Sequence, residues 1–487
     1  MHATLVRINR SSDRVEPWLA GSWTVSPDNL TYTIKLRPDL HWSDGSPLTA
    51  EDVAASLAEV QVPSLVPASG PAGSAGITFR TLEARAIDPW TIEIRFPEPF
   101  APGLRLLDRH LILPRNKPAD AVGLGPFVAG ERATKARGRS FARNPYYWRK
   151  APDGSTLPYL DALHLEPPAL ETGSPEQQDF ADSAILPDDY EALKKLEQSG
   201  KAHLFELGPG LDADALWFSP AGPVRAEPDA GELGKPWLTN EAFRLAISTA
   251  IDRRLYCKQV YFGACDPIAG PVTPANAAWF NPDLPLGAGN PQVARAMLAE
   301  LGLRDRSGDG MLDDAARRSV RFSLLIRRGV ASSARAAVFL AESLNAVGVG
   351  VDVVPLDAGA LRARRTKGNY EAIYDRIEMR DTDPAMNLDF WLSGGSAHVW
   401  NPARRSPPAD WEREIDQLMV KHASSFDRVA RLQAFADVQR LYSRHMPAVF
   451  FGAPHVRVFT TPRVVNATPS ALRPHLLWNA DSLGALQ

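Results

Sequence analysis

The chain has 487 residues, with 54 basic against 57 acidic side chains and a formal net charge of −3. Hydrophobic residues at 44% and charged residues at 23% are ordinary for a globular protein, which excludes a wholly disordered or collagen-like chain. The near-neutral balance argues against nucleic acid as the main partner, and no apolar run approaches the ~18–20 residues that span a bilayer.

In chain order, the first ten residues, from Met1 to Arg10, hold no apolar stretch of ~7–15 residues and are not a signal peptide. Either the protein is cytosolic or this start lies inside a longer export precursor. Leu30, Tyr32, Ile34 and Leu36 alternate with polar residues, which predicts a strand with one buried face. The segment from Pro63 to Gly76, rich in Pro, Ser, Ala and Gly, reads as a loop. Ile92, Ile94 and Phe96 form a second alternating strand, stopped by Pro97 because proline cannot donate to a ladder. A second loop-like stretch runs from Pro220 to Pro236.

From Asn240, the positions Phe243, Ala246, Ile247, Ala250, Ile251 and Leu255 predict one continuous helix, capped by Thr239 or Asn240. Cys257 and Cys265 sit around a helix end and a glycine-containing loop. Their spacing is no zinc pattern, and either a local disulfide or two buried thiols fits it. Helices follow from Val293 to Leu301 and from Ala334 to Val347, the latter closed by Gly348. Strands alternate at Phe322, Leu324 and Ile326, and at Val349, Val351 and Val353. A last helix carries Leu432, Phe435, Val438, Leu441 and Tyr442. Strands mixed with helices throughout indicate an α/β or α+β protein.

Catalytic and metal signatures are sparse. No HExxH, paired CxxC, Walker loop, GxGxxG or GxSxG is present, and the turn at Ser396 lacks the closing glycine of a nucleophile elbow. Asp305, Ser307 and Asp309 stand like the opening of a calcium loop, but Ala316 occupies the position of the bidentate glutamate. A tight polar turn is the competing reading. The cluster Arg362, Arg364, Arg365 and Lys367 reads as a solvated helix face.

The densest chemistry runs from Tyr374 to Pro402. Arg380, Asp381, Asp383, Trp391, His398 and Trp400 are the candidate ligand-binding residues there. Carboxylates would take an ammonium, the arginine a carboxylate, and indole faces an apolar side chain. A polar loop with two core tryptophans fits the same composition. No cofactor and no metal is implied.

Several blocks carry a family resemblance. The run from Pro17 to Arg37, with Trp23, Ser26, Asp28, Thr31 and Tyr32, leads into Trp42, Asp44, Gly45, Leu48, Ala50, Asp52 and Val53. Then come Gly125, Pro126 and Phe127, the stretch from Arg143 to Trp148, and the stretch from Leu157 to Asp161. The helix from Arg244 to Arg253 and the run from Arg431 to Pro447 complete the set. In this order they resemble the extracellular solute-binding proteins of family 5, the peptide- and nickel-type receptors of ABC importers.

That resemblance implies a two-lobed, periplasmic-binding-protein-like α/β fold (type II, peptide-binding cluster) with a two-strand hinge. Lobe I would be residues 1–207 completed by 452–487, and lobe II residues 208–451, with the first switch near Ala215 to Phe218. It implies no catalysis, a small peptide or similar solute as ligand, an ABC permease as partner, a monomer, and a periplasmic or lipid-anchored location. A peptide so held presents its backbone as an added strand. A metal chelate or an oligosaccharide is the alternative solute, and a hydrolase the third reading. Two departures stand out. The chain starts where the family already has a strand, a helix and an export signal, so the N-terminus resembles a truncated or mis-started one. The family's ammonium-binding aspartate falls on Arg380, with Asp381 one step away. His398 lies where nickel-type members use a histidine, and a structural role competes with that.

Overall fold

The computed structural model describes residues 1–65, 78–118, 122–130, 138–166, 178–182, 185, 187–219, 235–287, 289–400 and 408–486. Most of the expected loop from Pro63 to Gly76 and of the one from Pro220 to Pro236, and residues Asn401 and Pro402, lie outside these. The alternating pattern at Leu30 to Leu36 becomes the strand Thr31–Leu36, and that at Ile92 becomes Thr91–Arg95. They pair as the centre of an antiparallel sheet, flanked by Ala20–Val25 on one side and Glu83–Asp88 on the other. Tyr32, Ile34, Ile92 and Ile94 form its buried face, and the helix Ala50–Leu57 packs against Glu83–Asp88 and Thr91–Arg95.

A second, seven-stranded sheet lies further along the chain. Its order is His203–Pro209, Ala448–Thr460, Ala213–Phe218, Ala372–Ile377, Arg321–Arg327 and Gly350–Leu356, with Cys265–Pro267 also on the long strand. Arg321–Arg327 pairs in parallel with Gly350–Leu356 and Ala372–Ile377, and the crossovers are the helices Ala331–Asn345 and Ala358–Lys367. The latter stops at Gly368, whose φ of +62° is the left-handed cap that glycine adopts without penalty.

The long strand Ala448–Thr460 does double duty. Its first half pairs with Ala213–Phe218 and its second half with His203–Pro209. The two partners are consecutive in the chain and follow one another along the long strand, both antiparallel to it. Between them the ladder breaks register at Glu206/Pro209 and at Asp214/Ala215. Irregular pairing bends and twists a strand locally.

One prediction needs correction. The single helix expected from Asn240 to Leu255 is two helices, Glu241–Ala250 and Arg253–Tyr261. Ile251 is extended, and the Asp252 carboxylate accepts from the backbone amides of Arg254 and Leu255 at 2.9 and 3.0 Å. A new N-cap inside an unbroken apolar pattern redirects the chain while both faces stay buried. Of the two readings of the cysteines, the structure takes the disulfide between Cys257 and Cys265.

Candidate functional site

The strand Ala372–Ile377 ends against the paired connecting strands, and the chain then turns through Glu378, Met379 and Arg380 before reaching Asp381. Cavities open on either side of this turn. One, of about 460 Å³, is lined by the helix Ala358–Lys367, the end of Arg321–Arg327 and Arg109. The other, of about 330 Å³, is walled by Gly210 to Asp212, Pro454 to Val456, Arg473 and Arg105. Arg376, Glu378, Met379 and Arg380 face both. Each volume falls in the range of small-molecule sites, ~300–1,000 Å³.

The second cavity is charged but internally paired. Arg105 reaches Asp381 at 2.7 Å, Asp13 at 2.8 Å and the Thr382 hydroxyl at 2.7 Å, so a helix of the first region is tied to the loop of the second. Arg473 holds Asp212 at 2.7 Å. Arg376 holds Asp214 at 3.1 Å, and Asp214 also accepts from the hydroxyls of Tyr256 and Tyr261. Burial pushes the Asp381 carboxyl above its ordinary range, and the neighbouring Arg105 only partly offsets this.

Asp383 behaves differently. Burial opposes its charge, but hydrogen bonding to His422 and the charge of Arg431 outweigh this and bring the carboxyl down to about 2. Arg431 donates to both carboxylate oxygens at 2.7 and 2.9 Å, and the Ala385 amide donates at 3.0 Å. Asp383 is thereby a structural anchor for the turn that follows it.

Of the candidates from the sequence, Arg380 is exposed and lines both cavities, and Asp381 lines the second. The structure does not bring the other four together with them as walls. Trp391, Trp400 and His398 are 2%, 6% and 1% exposed. Trp391 packs edge-on against Phe390, Phe435 and Tyr442, and it borders a void of about 10 Å³ beside Asp381. The Trp400 indole and the His398 ring both meet Glu412 Oε1 at 3.0 Å. The physical reason is burial of large apolar area: the short helix Leu388–Trp391 turns Trp391 inward, and Glu412 on the 15-residue helix Asp410–Ser424 holds the Trp400 and His398 rings. Ser396 is bonded to Asp389, and Asp305 is occupied by the Gly308 and Gly310 amides, at 2.6 and 2.9 Å, as in a polar turn.

Sequence reasoning missed Arg105, Arg109, Arg327, Arg376 and Arg473, which come from segments far apart in the chain. It also read Arg362 and Arg365 as a solvated face, whereas both line the larger cavity. The available signal was the run of basic residues, but nothing local shows that a helix face borders a concavity.

Residues 14–398 match the family described as "Bacterial extracellular solute-binding proteins, family 5 Middle". The chain belongs to this family. Family 5 proteins are solute-binding proteins of transport systems rather than enzymes. A relative from Deinococcus radiodurans, a "probable ABC transporter-binding protein", is 24% identical over 524 residues, covering 95% of this chain and 83% of its own. Among solved structures, the oligopeptide-binding protein AppA from Bacillus subtilis in complex with a nonapeptide superposes with a TM-score of 0.73 at 20% identity. The match covers 100% of this chain and 93% of AppA. NikA from Brucella suis in complex with Fe(III)-EDTA gives 0.75 at 19% identity, covering 100% and 94%. This family 5 chain therefore has the two-lobed fold of periplasmic binding proteins, and among its described residues no helix is long and apolar enough to cross a membrane.

Proposed function

We propose that this protein is the receptor of an ABC importer, working as a monomer in the periplasm or on a lipid anchor outside the inner membrane. It captures a small peptide or similar solute between its lobes and passes it unaltered to the permease, with no catalytic step and no nucleic-acid partner. Lobe I comprises residues 1–207 with 452–487, and lobe II residues 208–451. The pairing of His203–Pro209 and Ala213–Phe218 with the single strand Ala448–Thr460 supports that division, since only these two connections are needed between the halves.

The observation that carries the reading is the pair of cavities sharing the turn from Arg376 to Arg380, set against the connecting strands where two lobes would close. A solute touching both lobes selects the shut form by its differential contacts. Arg380 meets the solute. Asp381, engaged by Arg105, shapes the floor and latches the lobes. Trp391, His398 and Trp400 brace the helices beneath, with Asp383 anchoring the turn. The relatives' names support a peptide, because AppA is described as an oligopeptide-binding protein.

The test is mass spectrometry of whatever co-purifies with the native protein, followed by thermal denaturation with that compound and with a peptide pool. Ligand at about a hundred times its Kd should add ~2.7 kcal/mol of stability. Recovery of the ligand chemically changed, or a shift from sugars alone, would refute the peptide-receptor reading.

A further inference from the structure

We infer that the solute is an acidic one, carrying two or more carboxylates or equivalent anionic groups, and that it is held in the larger cavity by arginines left without counter-ions. This rests on the solute-receptor reading above and specifies the ligand's charge.

The lining of that cavity includes Arg109, Arg327, Arg362, Arg365, Arg376 and Arg380. Four carboxylates face the same space, and three of them are already engaged. Asp214 is bound to Arg376 and to two tyrosine hydroxyls. Asp389 accepts from the Ser396 amide and hydroxyl at 2.6 and 2.8 Å. Asp375 accepts the Arg376 amide at 2.9 Å, and burial raises its pKa although Arg365, Arg327 and Arg376 all pull the other way. Glu378 is the one carboxylate there with no bond to it among the described residues. Arg327, Arg362, Arg365, Arg109 and Arg380 have no carboxylate within ion-pair distance among the described residues. Among the described residues Arg109 reaches the Met386 carbonyl, at 3.4 Å; burial disfavours its charge, Asp381 attracts it from beyond ion-pair distance, and Arg380 opposes it.

The positions are not local accidents. Arg327 ends a strand, Arg362 and Arg365 come from the following crossover helix, Arg380 from the turn after the next strand, and Arg109 from the first region. Like charges converging on one concavity raise its energy unless an anion fills it. Guanidinium forks match carboxylates bidentately, so a polyanion would relieve the repulsion and bridge both lobes. The peptide-type alternative, a carboxylate waiting for a free ammonium, falls to Glu378 alone, because Asp381 is bound by Arg105 and Asp383 by Arg431.

The experiment is calorimetric titration of the whole chain with tri-glutamate, its neutral isostere tri-glutamine, tri-lysine and citrate, at low and at roughly physiological ionic strength (~0.15 M). Tri-glutamate or citrate should bind at least about tenfold more tightly than tri-glutamine, and more weakly as salt rises. Arg380→Gln and Arg365→Gln should each weaken the acidic ligand by about ten- to hundredfold. The exposed Arg428→Gln, away from the cavity, should leave it unchanged, and apo melting curves verify that each variant folds. Citrate binding without tri-glutamate keeps the charge assignment and refutes the peptide. Tri-glutamine binding as tightly as the acids does the reverse. Preference for tri-lysine, no binding by either acid, or acid affinities unmoved in both variants would overturn the inference.

Discussion

The two cavities hold the same residue types put to opposite uses. On the side of the connecting strands, Arg105, Arg376 and Arg473 each have a carboxylate at 2.7–3.1 Å, and the pairs hold backbone segments together. In the larger cavity, Arg327, Arg362 and Arg365 have no carboxylate within ion-pair distance among the described residues. A paired buried charge has already exchanged its hydration for a fixed neighbour, so removing one partner strands the other. An unpaired guanidinium in a cleft keeps its binding capacity for something that arrives later. Composition alone does not separate these roles; the presence of a partner does.

Substitutions can break that contrast. The largest effect is expected outside both cavities, at Trp391→Ala, which should cost ~3–5 kcal/mol in urea unfolding, because the ring is buried among Phe390, Phe435 and Tyr442. A loss of ligand affinity with unchanged stability would instead return Trp391 to the solute. Next, Arg105→Ala should cost ~3 kcal/mol by leaving Asp381 buried and unpaired, and small-angle scattering should show a more open molecule. No change in either measurement would remove the inter-lobe tie.

Asp383→Asn is expected to cost about 2 kcal/mol at neutral pH, from a carboxyl held at about 2 when folded against its ordinary value near 4. Because its folded pKa is depressed, this contribution is complete above pH ~4 and lost as pH falls towards ~2. Wild type and variant should therefore converge in acid, and a gap that stays constant with pH would show that lost packing, not charge, is responsible. The smallest stability effect belongs to Arg380→Gln, within ~0.5 kcal/mol, since the side chain is exposed and has no ion-pair partner among the described residues.

Much of the architecture was legible in the chain. Period-2 alternation at Tyr32 and Ile34 and at Ile92 and Ile94 marked the core strands, because one face of each must be buried. The helix from Glu241 shows where that logic stops. The apolar spacing runs straight through Ile251, and only the Asp252 side chain, capping two amides, breaks it.

The candidate site was half visible. Arg380 and Asp381 stood out as charges beside Asp383 and Pro384, in a segment dense with turn formers. Trp391, His398 and Trp400 lay in the same stretch, yet the structure turns them into the core against Glu412 and Phe390. The family and the core strands could be read from the chain alone, because those are written in local periodicity and in contiguous motifs. Which arginines have a carboxylate partner among the described residues and which do not was decided only by the tertiary structure. Arg105 finds Asp381, and Arg473 finds Asp212, across more than 250 positions. Such pairing depends on how strands and crossover helices bring distant segments to one place, which no local pattern records.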